Sequence, residues 1–373
     1  MLHGLQSERM GMVVRRRKVL FVMICALALI VTAIGLVRNY TQKQQAKISE
    51  LSFADCLNYT LQGERDGIIT VGVIYDGQCG FTVYGTDGQV LDSVAHTYEI
   101  GSLTKTLTAS MVYRAVQEGR LSLDVSLDHC LPLPEKAHYP TIRDLLTHTS
   151  GYHEYYFESE MIGNFISGRN SFFGIGDDKV LNRIGKITLK DEAHGFRYSN
   201  FGYSVLGMIL ENVYGKEYTP LMNDYLLEMG FQNSCISDGS GDLNNYWDWN
   251  AGDTYMAAGA VLSNIDDMLA YAQMLLTGEN GFDECTEALK SLDATPAQYE
   301  ALNIRMDGIG YGWIIDNKNG VIWHNGGTEN YNSYLGVNRE AGTAVVVLSN
   351  LSPSKKIPAT VMGIKLLMEI SAK

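Results

Sequence analysis

Ser102-Leu103-Thr104-Lys105, Tyr198-Ser199-Asn200 and His324-Asn325-Gly326 are three short patterns whose residue types could together carry out acyl transfer. A lysine three residues after a serine lies about one helical turn on, so the two side chains share a face. There an ammonium lowers the cost of forming an alkoxide, and a neutral amine accepts the serine proton itself. Ser102 falls where the strand-like His96–Gly101 gives way to a helix, whose unpaired N–H groups favour negative charge on a reacting oxygen. A tyrosine beside a lysine has its anion stabilised, so Tyr198 can relay a proton between Ser102 and a leaving group. Asn200 can hold Lys105 or a substrate amide. His324 ends an apolar strand, and Gly326-Gly327 behind it lets a substrate backbone approach closely. The backbone N–H of Gly327 then stands as a second oxyanion donor beside that of Ser102.

Taken singly, each pattern has a plainer reading. Serine is a common helix N-cap, a Tyr-x-Asn can shape a loop, and a histidine at a strand end is usually structural or solvated. Their joint occurrence carries the weight. A second Ser-x-x-Lys, Ser352-Pro353-Ser354-Lys355, follows a valine-rich strand, contains a proline and reads as loop. His148 and His153 lack a third ligand, so no metal is expected. Gly174-Ile175-Gly176 lacks the strand-turn-helix setting of a dinucleotide loop and reads as a flexible loop, so no cofactor is expected.

The elements that must position these residues are legible in outline. Ile68–Tyr75 is β-branched and apolar, Asp76-Gly77 supplies a turn, and Gly80–Tyr84 returns, which predicts an opening hairpin. Leu107, Met111, Val112 and Ala115 recur at helical spacing, which predicts a helix from about Leu103 to Glu118, stopped at Gly119. Helices are also predicted at Phe201–Val213, after Ser263-Asn264, and at Met362–Ile370. Strands are predicted at Gly312–Asp316, Gly320–His324, Ser333–Val337 and Thr343–Leu348. Strands at both ends and helices between predict an α+β fold. Its antiparallel sheet is built from both termini and flanked by helices, with an all-helical subdomain beside it and the active site in the cleft between.

The chain of 373 residues is long enough for such a core. Its net charge of -13 argues against nucleic acid as a partner, which requires clustered Lys and Arg. The one basic cluster, Arg15–Lys18, precedes Val19–Val37, an uncharged apolar run of bilayer-spanning length. Positive flanks stay cytoplasmic. The resulting division is a cytoplasmic N-terminus at 1–18, a transmembrane anchor at 19–37, a polar linker at 38–55 and an extracytoplasmic domain at 56–373. The other reading is secretion after signal cleavage, with Val31 and Ala33 as the small residues before the cut. Beyond that run, Cys56, Cys79, Cys130, Cys235 and Cys285 are widely spaced without a C-x-x-C, and read as unpaired thiols, with one disulfide left open.

With these residues in view, the chain from about residue 65 onward resembles the serine hydrolases related to class C β-lactamases, penicillin-binding proteins and D-Ala-D-Ala carboxypeptidases. That family carries Ser-x-x-Lys, Tyr-x-Asn and a (Lys/His)-x-Gly in this order. Leu145–Gly151, Phe196–Tyr203 and Ala258-Gly259 also match it. The resemblance implies that Ser102 is acylated, that Lys105 and Tyr198 activate it, and that Asn200, His324, Asn325, Gly326 and Gly327 meet the substrate, a small-molecule or peptide acyl compound. The family fold, a β-lactamase/transpeptidase-like sheet with helices, is the one predicted above. His324 stands where class C β-lactamases have Lys. Asn325 and Gly327 stand where carboxylate-binding relatives often place hydroxyls. The implied function is an acyl hydrolase acting on an ester or amide. A penicillin-binding sensor or cell-wall binding protein, acylated without efficient turnover, is the alternative.

Overall fold

The computed structural model describes residues 47–372. The run Val19–Val37 and its basic flank lie outside the described residues. Among the described residues no helix is long and apolar enough to cross a membrane.

The compact body opens at Ser52. Ser52 caps helix α1 (Phe53–Leu61) in a capping box with Asp55. This helix precedes the hairpin on which the domain was expected to open. Its buried Phe53, Leu57 and Leu61 recur every fourth residue across what was read as linker and its continuation. The hairpin follows as β1 (Ile69–Tyr75) and β2 (Gln78–Tyr84).

The main sheet is eight-stranded and antiparallel throughout, in the order β2-β1-β11-β10-β9-β8-β7-β6. Here β6 is Lys290–Ser291, β7 Gly308–Ile309, β8 Ile314–Asp316, β9 Val321–Gly327, β10 Asn332–Asn338 and β11 Thr343–Ser349. The N-terminal β1 pairs with the C-terminal β11, with Gly72 opposite Val346. The sheet is therefore made from both termini, as the sequence pattern implies. Every residue of β11 is buried because both faces are covered, which explains its unbroken valine run. Gly72, Val346 and Leu335 share one face by register, and Gly72 meets Ile265 and Leu269 of a helix spanning Ile265–Thr277. Tyr334 and Val347 point the other way, where Gly363 of the C-terminal helix Ala359–Ser371 lies against the Tyr334 ring.

Between β2 and β6 the chain forms the second region. It is not all helical, as expected, but carries a three-stranded sheet in the order β3-β5-β4, made of Tyr98–Glu99, Val261–Ser263 and Cys235–Ile236. Strands of two or three residues are too short to show an alternation, so the sequence pattern does not reveal them. Helix α2 (Thr104–Gln117) runs through this region with Thr104–Val112 buried, against α6 (Asn200–Tyr214) and the short α8 (Met256–Gly259). Helices α3 (Ile142–Leu146), α4 (Glu160–Ser167), α5 (Asp177–Lys186) and α7 (Tyr218–Glu228) complete its shell before β4. The Gly174–Gly176 segment is pinned rather than loose, since Ile175 is buried and the Gly174 N–H donates to Asp253 Oδ1 at 2.8 Å. All five cysteines of the body are free thiols.

The two regions meet where β9 passes the turn before α2. A Cβ on Gly326 would stand 1.9 Å from the Ile100 carbonyl oxygen. One on Gly101, whose φ is +52°, would stand 2.6 Å from the Gly327 nitrogen. No side chain fits either place without moving backbone. Gly326→Ala is expected to destabilise the protein by about 1–3 kcal/mol, the usual cost of overpacking. A urea midpoint indistinguishable from wild type would show that the backbones yield at this joint.

Candidate active site

Ser102 sits in a single 3₁₀ turn, Gly101–Leu103, that runs directly into α2. The strand expected before it is only the two residues of β3. Lys105, on the first turn of α2, is wholly buried. Its Nζ donates to Ser102 Oγ at 2.9 Å and to the Ala258 carbonyl at 2.7 Å. The Tyr198 and Tyr203 rings close over the nitrogen, with centroids 4.9 and 5.7 Å away. Burial holds the lysine well below its ordinary pKa, and Glu154 opposes this only in part. Loss of water penalises the charged form, so the amine is driven toward neutrality. A neutral Nζ presents a lone pair along the 2.9 Å line to the Ser102 hydroxyl.

Tyr198 stands at the entry to α6, whose N-cap Ser199 accepts the Gly202 N–H at 2.8 Å. Burial raises the Tyr198 phenol, and the neighbouring Ser102 hydroxyl pulls the other way. The phenol is therefore a proton carrier rather than a standing anion. Asn200 is the first residue of α6. Its side chain makes no hydrogen bond to Lys105; the Ala258 carbonyl, on α8, takes that place.

His324 lies on β9 with its ring nearly sealed from solvent. Its Nδ1 is 2.6 Å from the Asn325 carbonyl. A carbonyl only accepts, so Nδ1 carries the proton and Nε2 keeps a lone pair. Burial first, and the Lys105 charge second, push this imidazole down to about 3.

The residue that sequence reasoning set aside is His148. It has φ +56°, lies at 1% exposure, and its Nδ1 accepts the Ser199 N–H at 3.1 Å. Its ring packs, tilted by 38°, against Tyr198 at 4.6 Å and against Tyr203 at 5.0 Å. Burial, Lys105 and His324 hold it well below its usual value. It lies within Leu145–Gly151, a segment that resembles the family but carries none of the three motifs. The left-handed backbone at a non-glycine residue was the missing signal, and a sequence does not print it.

Ser102, His148, Tyr198, His324, Asn325 and Gly327 line one cavity of about 350 Å³. Its remaining wall is Phe196, Ala294, Pro296, Tyr299, Met306, Ile314 and Trp323. The part from 294 to 306 lies between β6 and β7, a stretch in which no motif marks a site. A roomier cavity of about 490 Å³ around Glu211 and Asp253 contains none of the motif residues. None of Ser352–Lys355 lines the cavity, although Pro353 lies behind Gly327; Ser352 bonds Ser354 and Lys355 pairs with Glu64.

The profile of the Beta-lactamase family matches residues 62–362. The chain belongs to the β-lactamase family. Among curated relatives, Protein flp of Staphylococcus aureus is 24% identical over 349 residues, which cover 86% of this chain and 66% of that protein. The chain thus spans just under two thirds of the length of the relatives it matches. Among solved structures, a β-lactamase/D-alanine carboxypeptidase from Yersinia pestis is 19% identical, covering 88% of this chain and 99% of that one, with a TM-score of 0.67. A class C β-lactamase from Rhodobacter sphaeroides is 19% identical over 82% of this chain and 95% of that one, with a TM-score of 0.61. A D-amino acid amidase from Ochrobactrum anthropi SV3, complexed with L-phenylalanine amide, is 20% identical over 84% and 98%, with a TM-score of 0.60. These likenesses establish a β-lactamase-family serine hydrolase fold, α+β with an antiparallel sheet and flanking helices.

In this β-lactamase-family site the His324 ring has a lowered folded pKa. Its contribution to stability is therefore full above about pH 6.5, the unfolded value, and is lost as pH falls toward about 3. Nitrogen-edited NMR is expected to find His324 as the Nδ1–H tautomer, without a titration step between pH 8 and 5. A midpoint near 6.5 would contradict the sealed geometry.

Proposed function

We propose that the protein is a serine acyl hydrolase for neutral, apolar acyl substrates, with esters preferred over β-lactams. The observation that carries the reading is the 2.9 Å contact between Ser102 Oγ and a buried Lys105 Nζ at the floor of the cavity. Ser102 attacks the substrate carbonyl as its proton passes to Lys105. The carbonyl oxygen, now negative, lies between the N–H groups of Ser102 and Gly327. Tyr198 delivers the proton to the leaving group, the carbonyl re-forms, and an acyl-enzyme remains. Water, deprotonated by the same pair, then releases the acid. No cofactor enters these steps. Asn325 borders the bound acyl group and offers its amide to a substrate oxygen, whereas Asn200 and Gly326 lie outside the cavity wall.

The apolar substrate class rests on the cavity wall. Phe196, Tyr299, Met306 and Trp323 suit hydrocarbon or aromatic groups, and no lysine or arginine lines the cavity. Its two imidazoles are held neutral by burial. A β-lactam carboxylate would meet no cation at the third motif. The Ochrobactrum amidase, with its aromatic amide ligand, is a fold neighbour consistent with amides as a second substrate class. The sensor reading predicts a different time course, in which label accumulates on Ser102 and stays. The basic cluster and apolar run at Arg15–Val37 support a further element of the proposal, a single-pass anchor with the domain outside the cell membrane.

Three measurements test these statements. Ser102→Ala is expected to abolish labelling by a fluorophosphonate without changing the melting temperature, while Ser352→Ala labels as wild type. Labelling of Ser102→Ala at the wild-type rate would place the nucleophile elsewhere. The kcat/KM for p-nitrophenyl butyrate is expected to exceed that for a chromogenic cephalosporin, and His324→Lys with Asn325→Thr is expected to narrow the gap. A wild-type preference for the cephalosporin would overturn the substrate assignment. Protease added to intact protoplasts is expected to digest the domain, and a mature form beginning after Ala33 would replace the anchor with a cleaved signal.

A further inference from the structure

Glu99 lies three residues before the nucleophile, on β3, at 3% exposure. Both of its carboxylate oxygens are engaged. Oε1 accepts the backbone N–H of Trp247, and Oε2 accepts the Thr328 hydroxyl at 2.5 Å. Thr328 is the residue after Gly327, and its hydroxyl in turn accepts the Tyr331 N–H at 3.2 Å. Thr328 N–H closes the same turn by donating to the Tyr331 carbonyl at 2.9 Å. One carboxyl group thus touches three segments: the strand that enters Ser102, the turn that leaves Gly327, and the 244–250 loop.

We propose that Glu99 is a positioning residue for the oxyanion hole, fixing the Gly327 N–H relative to the Ser102 N–H by tying the two chain segments that carry them. The proposal rests on the acyl-transfer reading above. The other links across this joint do not reach Thr328. Ser333 Oγ donates to the Ile100 carbonyl at 2.7 Å and secures β10, and the Gly101–Gly327 approach is steric. Without the carboxyl, the turn after Gly327 keeps the edge contact of Tyr331 on Tyr98 of β3, while its remaining ties run to the 244–250 loop: Tyr331 stacks on Tyr246 and donates its hydroxyl to the Asn244 carbonyl at 2.7 Å, and Asn330 donates to the Asn245 carbonyl at 3.0 Å.

The carboxyl has no cation acting on it among the described residues, and burial raises it to about 7 against the pull of its two donors. The titratable groups facing it are the phenols of Tyr246, from the loop, and Tyr331, from the turn. Tyr98 lies beside it on β3, and the His96–Asp242 pair, 2.6 Å apart, closes the outer end of the loop. Because the folded value lies above the unfolded one, this group costs the fold stability as pH rises from about 4.5 to about 7. Charge-assisted hydrogen bonds are the stronger ones, so the same ionisation tightens the tie. Stability and positioning therefore run in opposite directions with pH. A carboxyl that served only the fold would not show this.

The test uses the full chain with p-nitrophenyl butyrate and a fluorophosphonate label. Glu99→Gln keeps the shape and one acceptor but cannot ionise. It is expected to lower kcat on the order of tenfold at pH 8 with KM within about twofold, less than the loss of a whole oxyanion donor. At pH 5.5 its kcat is expected to lie within about twofold of wild type, so the step near pH 7 disappears. Its melting temperature is expected to exceed wild type at pH 8 and to match it at pH 5. Thr328→Val, which removes the hydroxyl, is expected to reproduce the kinetic change, and Thr328→Ser to restore the wild-type profile. An unchanged pH–kcat profile in Glu99→Gln, or a Thr328→Val enzyme that matches wild type, would overturn the proposal and leave the acyl-transfer reading standing. A wild-type chain that neither labels at Ser102 nor turns over ester would overturn both.

Discussion

A lysine nitrogen shut away from water organises this site. Removing an ammonium from water costs several kcal/mol even after the surroundings relax. Burial therefore holds Lys105 well below its ordinary pKa and drives the amine toward neutrality. Everything around it follows from the need to keep water out while leaving one useful contact. The Ala258 carbonyl supplies the fixed acceptor, and the rings of Tyr198 and Tyr203 supply the walls. Three separate stretches of chain, α2, α6 and α8, must converge to do this. That explains why α2 is buried along most of its length although it carries threonines, a serine and the lysine. Its hydroxyls are satisfied internally: Thr108 bonds Tyr218 and the Ala257 carbonyl, and Thr106 bonds Tyr271.

A second constraint sits beside the first. Ser102 belongs to one region and the opposing strand β9 to the other, and their backbones meet directly, with side-chain ties on either flank. Gly101 and Gly326 leave no room for side chains, so the Gly327 backbone can approach the turn that carries Ser102. Backbone contact of this kind fixes distance but little angle. The angle is set by side chains on either flank, Ser333 against the Ile100 carbonyl and Glu99 against Thr328. Rigid walls and a buried polar tie are the two means by which a site made from distant chain segments keeps sub-ångström geometry.

The fold was legible where the periodicity was long. The β1–β2 hairpin, the α2 and α6 helices and the β9–β11 run fall within a few residues of their expected bounds, because seven-residue strands and helices of 14 or 15 residues show their pattern unaided. Helix α1 straddles the boundary expected between linker and domain at residue 55, and the β3-β5-β4 sheet is hidden by the shortness of its strands. Among the site residues, Ser102 and Lys105 were readable from spacing alone, since one helical turn sets their contact. Ala258, Glu99 and His148 were not. Their roles depend on a carbonyl direction, a pair of long-range hydrogen bonds and a left-handed backbone, none of which leaves a periodic trace in a sequence.

The chemistry and the choice of substrate are separable in this architecture. On the proposed reading, acyl transfer uses Ser102, Lys105 and Tyr198, held by the α2–α6–α8 contact, with two backbone donors set by the joint between the regions. Substrate preference on that reading belongs to β9 and to the 294–306 segment that walls the cavity with Pro296, Tyr299 and Met306. The 294–306 positions touch the cavity and not the α2–α6–α8 contact. His324 on β9, in contrast, is coupled to the lysine. A lysine there would carry its charge toward Lys105, which already lowers the His324 pKa across the cavity floor. Two ammonium groups sharing so dry a space would repel, and each would hold the other further below its ordinary pKa. A neutral third motif therefore relaxes the electrostatic demand on Lys105, and on the proposed reading it leaves a substrate carboxylate without a cation at that strand.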